Sequence, residues 1–198
     1  MMNKAYDHLR VIMNNYHPIS DQCFEALKAI STVREFKKNQ QLIRMGEIPK
    51  KYYFLHLGLI RAFTLNSHDH SKEVNKAFFE EGRFPASVIA SLKQVESEIC
   101  LEALEDSLVI EFDHSGFRGL LDKYEDLKWY HIKYLEKHWV MEKEPFEISL
   151  IGGEAKQRYL DFLENYPGLS DRLPLYHIAS RLGITATQLS RIRNSLKK

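Results

Sequence analysis

The sequence predicts an α+β fold. An N-terminal antiparallel β-roll, jelly-roll-like and with flanking helices, should be followed by a long helix and a mostly helical C-terminal domain. Three observations carry this expectation. Between Thr32 and Asp113, short runs rich in β-branched and aromatic residues alternate with turn signals at roughly 8–12-residue spacing. From Glu125 to about Glu144, Leu127, Tyr130, Tyr134, Leu135, Trp139 and Met141 form a broad apolar stripe at helical spacing. Near the end, two helical patterns flank Gly183.

In order along the chain, 3–15 and 20–30 read as helices. Leu9, Ile12 and Met13 carry the first, Pro18 breaks it, and Cys23, Phe24, Leu27 and Ile30 face inward in the second. Ser20 or Asp21 is the expected cap. Strands are expected at Thr32–Phe36, Gln41–Arg44, Tyr52–Leu57, Leu59–Asn66, Glu73–Phe79 and Leu108–Phe112, with a short helix over 86–95. A short helix carrying Phe117, Leu120 and Leu121 precedes the long one, which Pro145 should kink or end near Glu144. Gly152-Gly153 is the clearest linker, and a helix over 154–165 follows it.

At 198 residues, 44% hydrophobic and 28% charged, the chain reads as ordinary globular protein, which excludes disordered and collagen-like classes. It shows no run long enough to cross a membrane, and its start lacks a signal-peptide core, so a cytoplasmic location without membrane partners is expected. Cys23 and Cys100 belong to no Cys/His cluster and are expected as buried free thiols. No nucleophile–base pattern, P-loop or dinucleotide fingerprint occurs, so no catalytic residue and no enzyme activity is expected.

Net charge is only +1, but it is unevenly spread. Residues 151–198 hold eight Lys/Arg and four acids, and no acid follows Asp171. A basic, acid-free end suits a polyanion. The same end contains a helix-turn-helix pattern. Ala179 permits close helix crossing, Gly183 takes the turn, and Ile184, Leu189 and Ile192 supply a shared core. Thr185 should cap the second helix. Its exposed face should present Ala186, Thr187, Gln188 and Arg191, types suited to base edges in a major groove. Ser190, Arg193, Lys197 and Lys198 are placed for phosphates. Double-stranded DNA is therefore the expected partner.

Three stretches resemble the Crp/Fnr superfamily of bacterial transcription regulators, over about residues 20–198. Leu42-Ile43-Arg44-Met45-Gly46-Glu47 and Tyr52-Tyr53-Phe54-Leu55-His56-Leu57-Gly58 are similar to the family's strand–Gly-Glu–strand–Gly pattern. Phe79-Glu80-Glu81-Gly82 and Glu102-Ala103-Leu104-Glu105-Asp106-Ser107 resemble the flanks of its phosphate-binding cassette. Ile178 to Ile192 resembles its DNA-reading unit, most specifically at Leu189-Ser190-Arg191-Ile192. The resemblance implies a cyclic-nucleotide-binding-type sensor over 1–115, a dimerisation helix region over 116–150, and a DNA-binding domain over 151–198. It also implies a homodimer, with RNA polymerase and a small-molecule effector as further partners.

The cassette is degenerate. After Gly82, the family's ribose-holding Gly-Glu is matched by Ala86 and Ser87, and its phosphate-holding Arg-Ser/Thr by Ser97 and Glu98. A glutamate in place of that arginine would repel a phosphate, with Arg83 or Lys93 as the alternative cations. These departures argue against cAMP or cGMP, leave the effector unknown and imply no cofactor. A minimal C-terminal domain without a β-hairpin wing is also expected.

The alternative class is a cupin-like β-roll that binds a small molecule or metal and whose helical tail is structural. His68-Asp69-His70 would be its candidate ligands, but a polar hairpin turn is the expectation there, and no metal. His131 and His138, seven apart, are expected at an interface edge rather than as haem ligands or pH-sensitive dimer contacts.

Overall fold

The computed structural model describes residues 2–196. Two compact units emerge: Met1–Thr64 with Ala77–Glu136, and Leu65–Lys76 with Lys137–Lys198.

In the first unit, α1 (Met2–Asn14) and α2 (Asp21–Ala29) precede the strands. Ser20 caps α2, its hydroxyl accepting from the Cys23 amide at 3.3 Å. The strands are β1 (Ser31–Phe36), β2 (Gln41–Ile43), β3 (Lys51–Leu57), β4 (Ile60–Leu65), β5 (Glu73–Phe79), β6 (Cys100–Ala103) and β7 (Ser107–Asp113). They form two sheets, ordered β1-β7-β3 and β2-β6-β4-β5. The pairings resolved for β7 and β6 are antiparallel, as the α+β expectation requires.

Strand alternation explains two cores. Tyr53, Leu55 and Val109 point into the roll with Phe36, Leu42, Ile60, Leu101 and Ala103. Phe54, Ile110 and Phe112 point the other way, onto Ala5, Leu9 and Met13 of α1 and Cys23, Phe24 and Leu27 of α2. The second core also takes Phe117 and Leu121 of α4 (His114–Lys123) and Leu127, Tyr130 and Tyr134 of α5 (Glu125–Leu135). Both cysteines are buried and free. Burial, then the Asp126 carboxylate, pushes the Cys23 thiol up to about 12.

Strand β6 was not expected from sequence. It is only four residues long, and Glu102 interrupts its apolar run. Its partner supplies the missing term: Arg61 lies opposite Glu102 in the register and pairs with it at 2.7 Å, both side chains nearly buried. The Arg61 guanidinium also covers Phe63 at 4.0 Å.

Gly58 is required by a close approach. Its φ is +109°, and an added Cβ would meet Ser107 Cα at 2.8 Å. The short helix expected over 86–95 is α3 (Val88–Lys93).

The helical stretch expected to run to Glu144 breaks earlier and differently. After α5, residues Glu136–Met141 form a π-helical segment, and the Glu142 amide donates to the Lys137 carbonyl at 3.0 Å, an i→i−5 bond. Then α6 (Lys143–Gly152) begins with Pro145 in its first turn. Proline has no N–H to give the Met141 carbonyl, and its ring excludes that carbonyl from the usual place. A fresh N-terminus, where no such donor is needed, accommodates it, so the chain breaks at Glu142.

The second unit adds α7 (Ala155–Asn165), α8 (Leu169–Arg172), α9 (Leu175–Arg181) and α10 (Ala186–Leu196) to α6 and the hairpin tip 65–76. Gly153 closes α6, and an added Cβ there would meet the Ser149 carbonyl oxygen at 2.6 Å. Arg158 gathers the linker, donating to the carbonyls of Gly153 at 2.6 Å and Leu182 at 3.0 Å. Among the described residues, no helix is long and apolar enough to cross a membrane.

Candidate nucleic-acid interface and effector cassette

Helices α9 and α10 form the helix-turn-helix. Ile178, Ala179, Leu182 and Leu189 are buried between them, and Ile184 and Ile192 are half-buried at the edge. Gly183 turns the chain at φ +68°, a conformation a side chain would oppose.

Thr185 caps α10 through a complete capping box. Its hydroxyl accepts from the Gln188 amide at 3.1 Å, while Gln188 Oε1 accepts from the Thr185 amide at 2.9 Å. The cap thus also engages the Gln188 side chain that is expected to face a base edge. Adenine recognition needs both its oxygen and its amide nitrogen, and here the oxygen is held by the cap. Thr185, Ala186, Thr187, Gln188, Ser190 and Arg191 are exposed, and Arg193 is half-buried. Arg191 makes no hydrogen bond or ion pair among the described residues. Lys197 and Lys198 lie outside the described residues.

The cassette positions also come together, but on one another. Gly82 is buried at φ +83° and Ala86 is buried. Ser87 and Ser97 are buried with their hydroxyls 2.8 Å apart. Ser97 also bonds the Ile99 backbone, and its amide donates to the Glu47 carbonyl at 2.9 Å. No Arg or Lys among the described residues hydrogen-bonds either serine. Glu98 is exposed, so its carboxylate is not buried beside Ser97. Lys93 is exposed, and Arg83 is engaged by the Tyr134 hydroxyl. Sequence reasoning missed Ser91, which α3 buries completely and whose hydroxyl has no partner among the described residues.

The hairpin 65–76 contains His68-Asp69-His70. Asp69 accepts from Lys72 at 2.7 Å and from the Ser71 amide, which holds its carboxyl down at about 2. Among the described residues, no three His, Cys, Asp or Glu converge as metal ligands. His138 is buried and meets Glu142 at 2.8 Å, whereas His131 lies against Phe117, with ring centroids 5.7 Å apart. Burial, then the Arg118 charge, pulls the His131 imidazole down to about 4.

Another feature of the hairpin was invisible in the sequence. The Asn75 amide nitrogen donates to the His177 carbonyl at 3.2 Å, and the Asn75 backbone N–H donates to the Ser180 hydroxyl at 2.9 Å. Both partners are on α9.

Residues 33–124 match the family model described as the cyclic nucleotide-binding domain. Solved structures share the fold over most of the chain. FixK2 from Bradyrhizobium japonicum aligns with a TM-score of 0.70 at 17% identity, covering 85% of each chain. The c-di-GMP-responsive global regulator CLP from Xanthomonas campestris aligns at 0.69 and 14%, covering 90% of this chain and 92% of that one. The Thermus thermophilus catabolite activator protein aligns at 0.57 and 16%, covering 92% and 85%. No curated protein matches the sequence. Residues 33–124 thus carry a cyclic-nucleotide-binding-type domain, and the chain shares its fold with these solved structures.

Proposed function

We propose that the chain is a sequence-specific DNA-binding transcription regulator that acts as a homodimer without cAMP control. One observation carries this reading: α10 is capped, anchored by buried Leu189, and presents an exposed face without acids. Residues 1–115 act as sensor or scaffold, 116–150 pair the subunits, and 151–198 read DNA, one α10 per half-site. Such a regulator works in the cytoplasm and carries out no reaction of its own.

Exposed apolar residues support pairing. Trp129 and Ile132 on α5 are 47% and 42% exposed, and Ile148 and Ile151 on α6 are 64% and 90% exposed. Mutually bonded Ser87 and Ser97, with no cation among the described residues bonded to either, support independence from cAMP. An effector of another kind would act by changing the relative orientation of two α10 helices, with Gly152-Gly153 as the hinge. RNA polymerase is the natural further partner of such a regulator.

The test is selection of bound DNA from a random pool without added ligand. A two-fold palindrome with half-sites about one helical turn apart is expected. No enrichment, either alone or with cell extract as an effector source, would reject the reading.

A further inference from the structure

Three cations of the second unit gather around two aromatic rings. Lys76 Nζ lies 5.5 Å from the Trp139 ring centroid, and Lys143 Nζ lies 5.9 Å from the same centroid. The Arg181 guanidinium carbon sits 3.3 Å over the Phe146 ring. Lys76 and Arg181 are both half-buried, and neither makes a hydrogen bond or ion pair with another described residue. Glu147 is the carboxylate in the cluster, and Lys143 already holds it at 3.1 Å. The Tyr166 side chain also lies near Arg181.

Ring faces attract cations but offer no lone pair in the hydrogen-bonding sense. The donors of Lys76 and Arg181 are thus partly desolvated and unanswered, which costs free energy unless an acceptor arrives. The electrostatics agree. Burial, then the charges of Lys143 and Arg181, pull the Lys76 ammonium below its ordinary value. Burial pulls Arg181 down to about 10.

We propose that Lys76, Lys143 and Arg181 form a binding site for a dianionic phosphate group against Trp139 and Phe146, apart from the serine-lined cassette. Three cations against one carboxylate leave two positive charges, which a dianion neutralises and a carboxylate or phosphodiester does not. Tetrahedral oxygens match the guanidinium fork and two ammonium groups. The group belongs to free phosphate or to a phosphomonoester; both present the same chemistry. Bound there, it would tie together the hairpin 65–76, α6 and the end of α9. The site does not depend on the DNA-binding reading, and its test contains no DNA.

The full chain is titrated with inorganic phosphate, phenyl phosphate and dimethyl phosphate at constant ionic strength, following melting temperature and tryptophan fluorescence. Inorganic phosphate or phenyl phosphate should raise the melting temperature saturably and change the fluorescence in parallel. Tighter binding of phenyl phosphate assigns an esterified ligand, and equal or weaker binding assigns the free ion. The double variant Lys76→Met/Arg181→Met should lose the saturable rise while melting no lower than the wild type in chloride. Should it fail to fold, Lys76→Gln should weaken the apparent phosphate affinity about tenfold. A general salting effect would be unsaturated and shared by the variants. No saturable rise in the wild type, an equal rise in the variants, or an equal response to dimethyl phosphate would overturn the proposal.

Discussion

The Asn75 amide nitrogen lies 3.0 Å from His177 Nδ1 and 3.2 Å from the His177 carbonyl oxygen. That nitrogen only donates, so Nδ1 accepts in this contact. Both residues are buried. The contact fastens the hairpin 65–76 to α9, the first helix of the helix-turn-helix.

Asn75→Ala should release it. We expect a loss of about 1–2 kcal/mol and faster hydrogen exchange in α9. Exchange in α9 unchanged from the wild type would show that the contact contributes nothing to holding that helix.

The capping box separates folding from recognition. Thr185→Ala should cost about 1 kcal/mol of stability through the lost cap. Gln188→Glu should keep the cap, because a carboxylate serves at that position, yet weaken operator binding by removing a donor and adding negative charge. Parallel melting and binding curves test the pair, and a Gln188→Glu protein that binds its operator normally would contradict the second half.

Arg191→Ala should weaken specific DNA binding by about 1–3 kcal/mol while leaving stability within about 0.5 kcal/mol. The side chain is exposed and makes no ion pair with another described residue. Binding to selected and to scrambled duplexes distinguishes a base contact from a phosphate contact.

His131 should contribute to acid sensitivity. Its folded value of about 4 lies below the ordinary 6.5, so the unfolded chain takes up a proton that the folded chain refuses. Stability is therefore lost as pH falls from about 6.5 towards 4, by about 1–2 kcal/mol after allowing for partial exposure. His131→Gln should flatten the denaturation midpoint over that window. An unchanged profile would exclude this contribution.

Gly58→Ala should destabilise the roll by about 2–4 kcal/mol, since a Cβ would press on the Ser107 backbone and strain a φ of +109°. Urea unfolding measures the loss.

Much of this arrangement was legible in residue periodicity. The split of β3 between two cores follows from Tyr53-Phe54-Leu55 alone, because neighbours on a strand face opposite ways. The turn at Gly183 and the cap at Thr185 were legible because they depend on residues within a few positions of each other. Strand β6 escaped because its charged Glu102 makes sense only beside Arg61, 41 positions away. The capping contact of Gln188 was not read from the sequence: its type suits a base edge, and Thr185 also bonds its oxygen.

The sequence by itself determined the order of roll, helical stretch and helix-turn-helix, and the acid-free face of the last helix. Those properties reside in local spacing and side-chain type, which survive any path the chain takes. Only the tertiary structure decided that Asn75 holds His177 across 102 positions, and that Lys76 shares Trp139 with Lys143 while Arg181 covers Phe146. Such pairings depend on where the backbone returns to itself, and the burial of one cation near another exists only once the chain has closed around them.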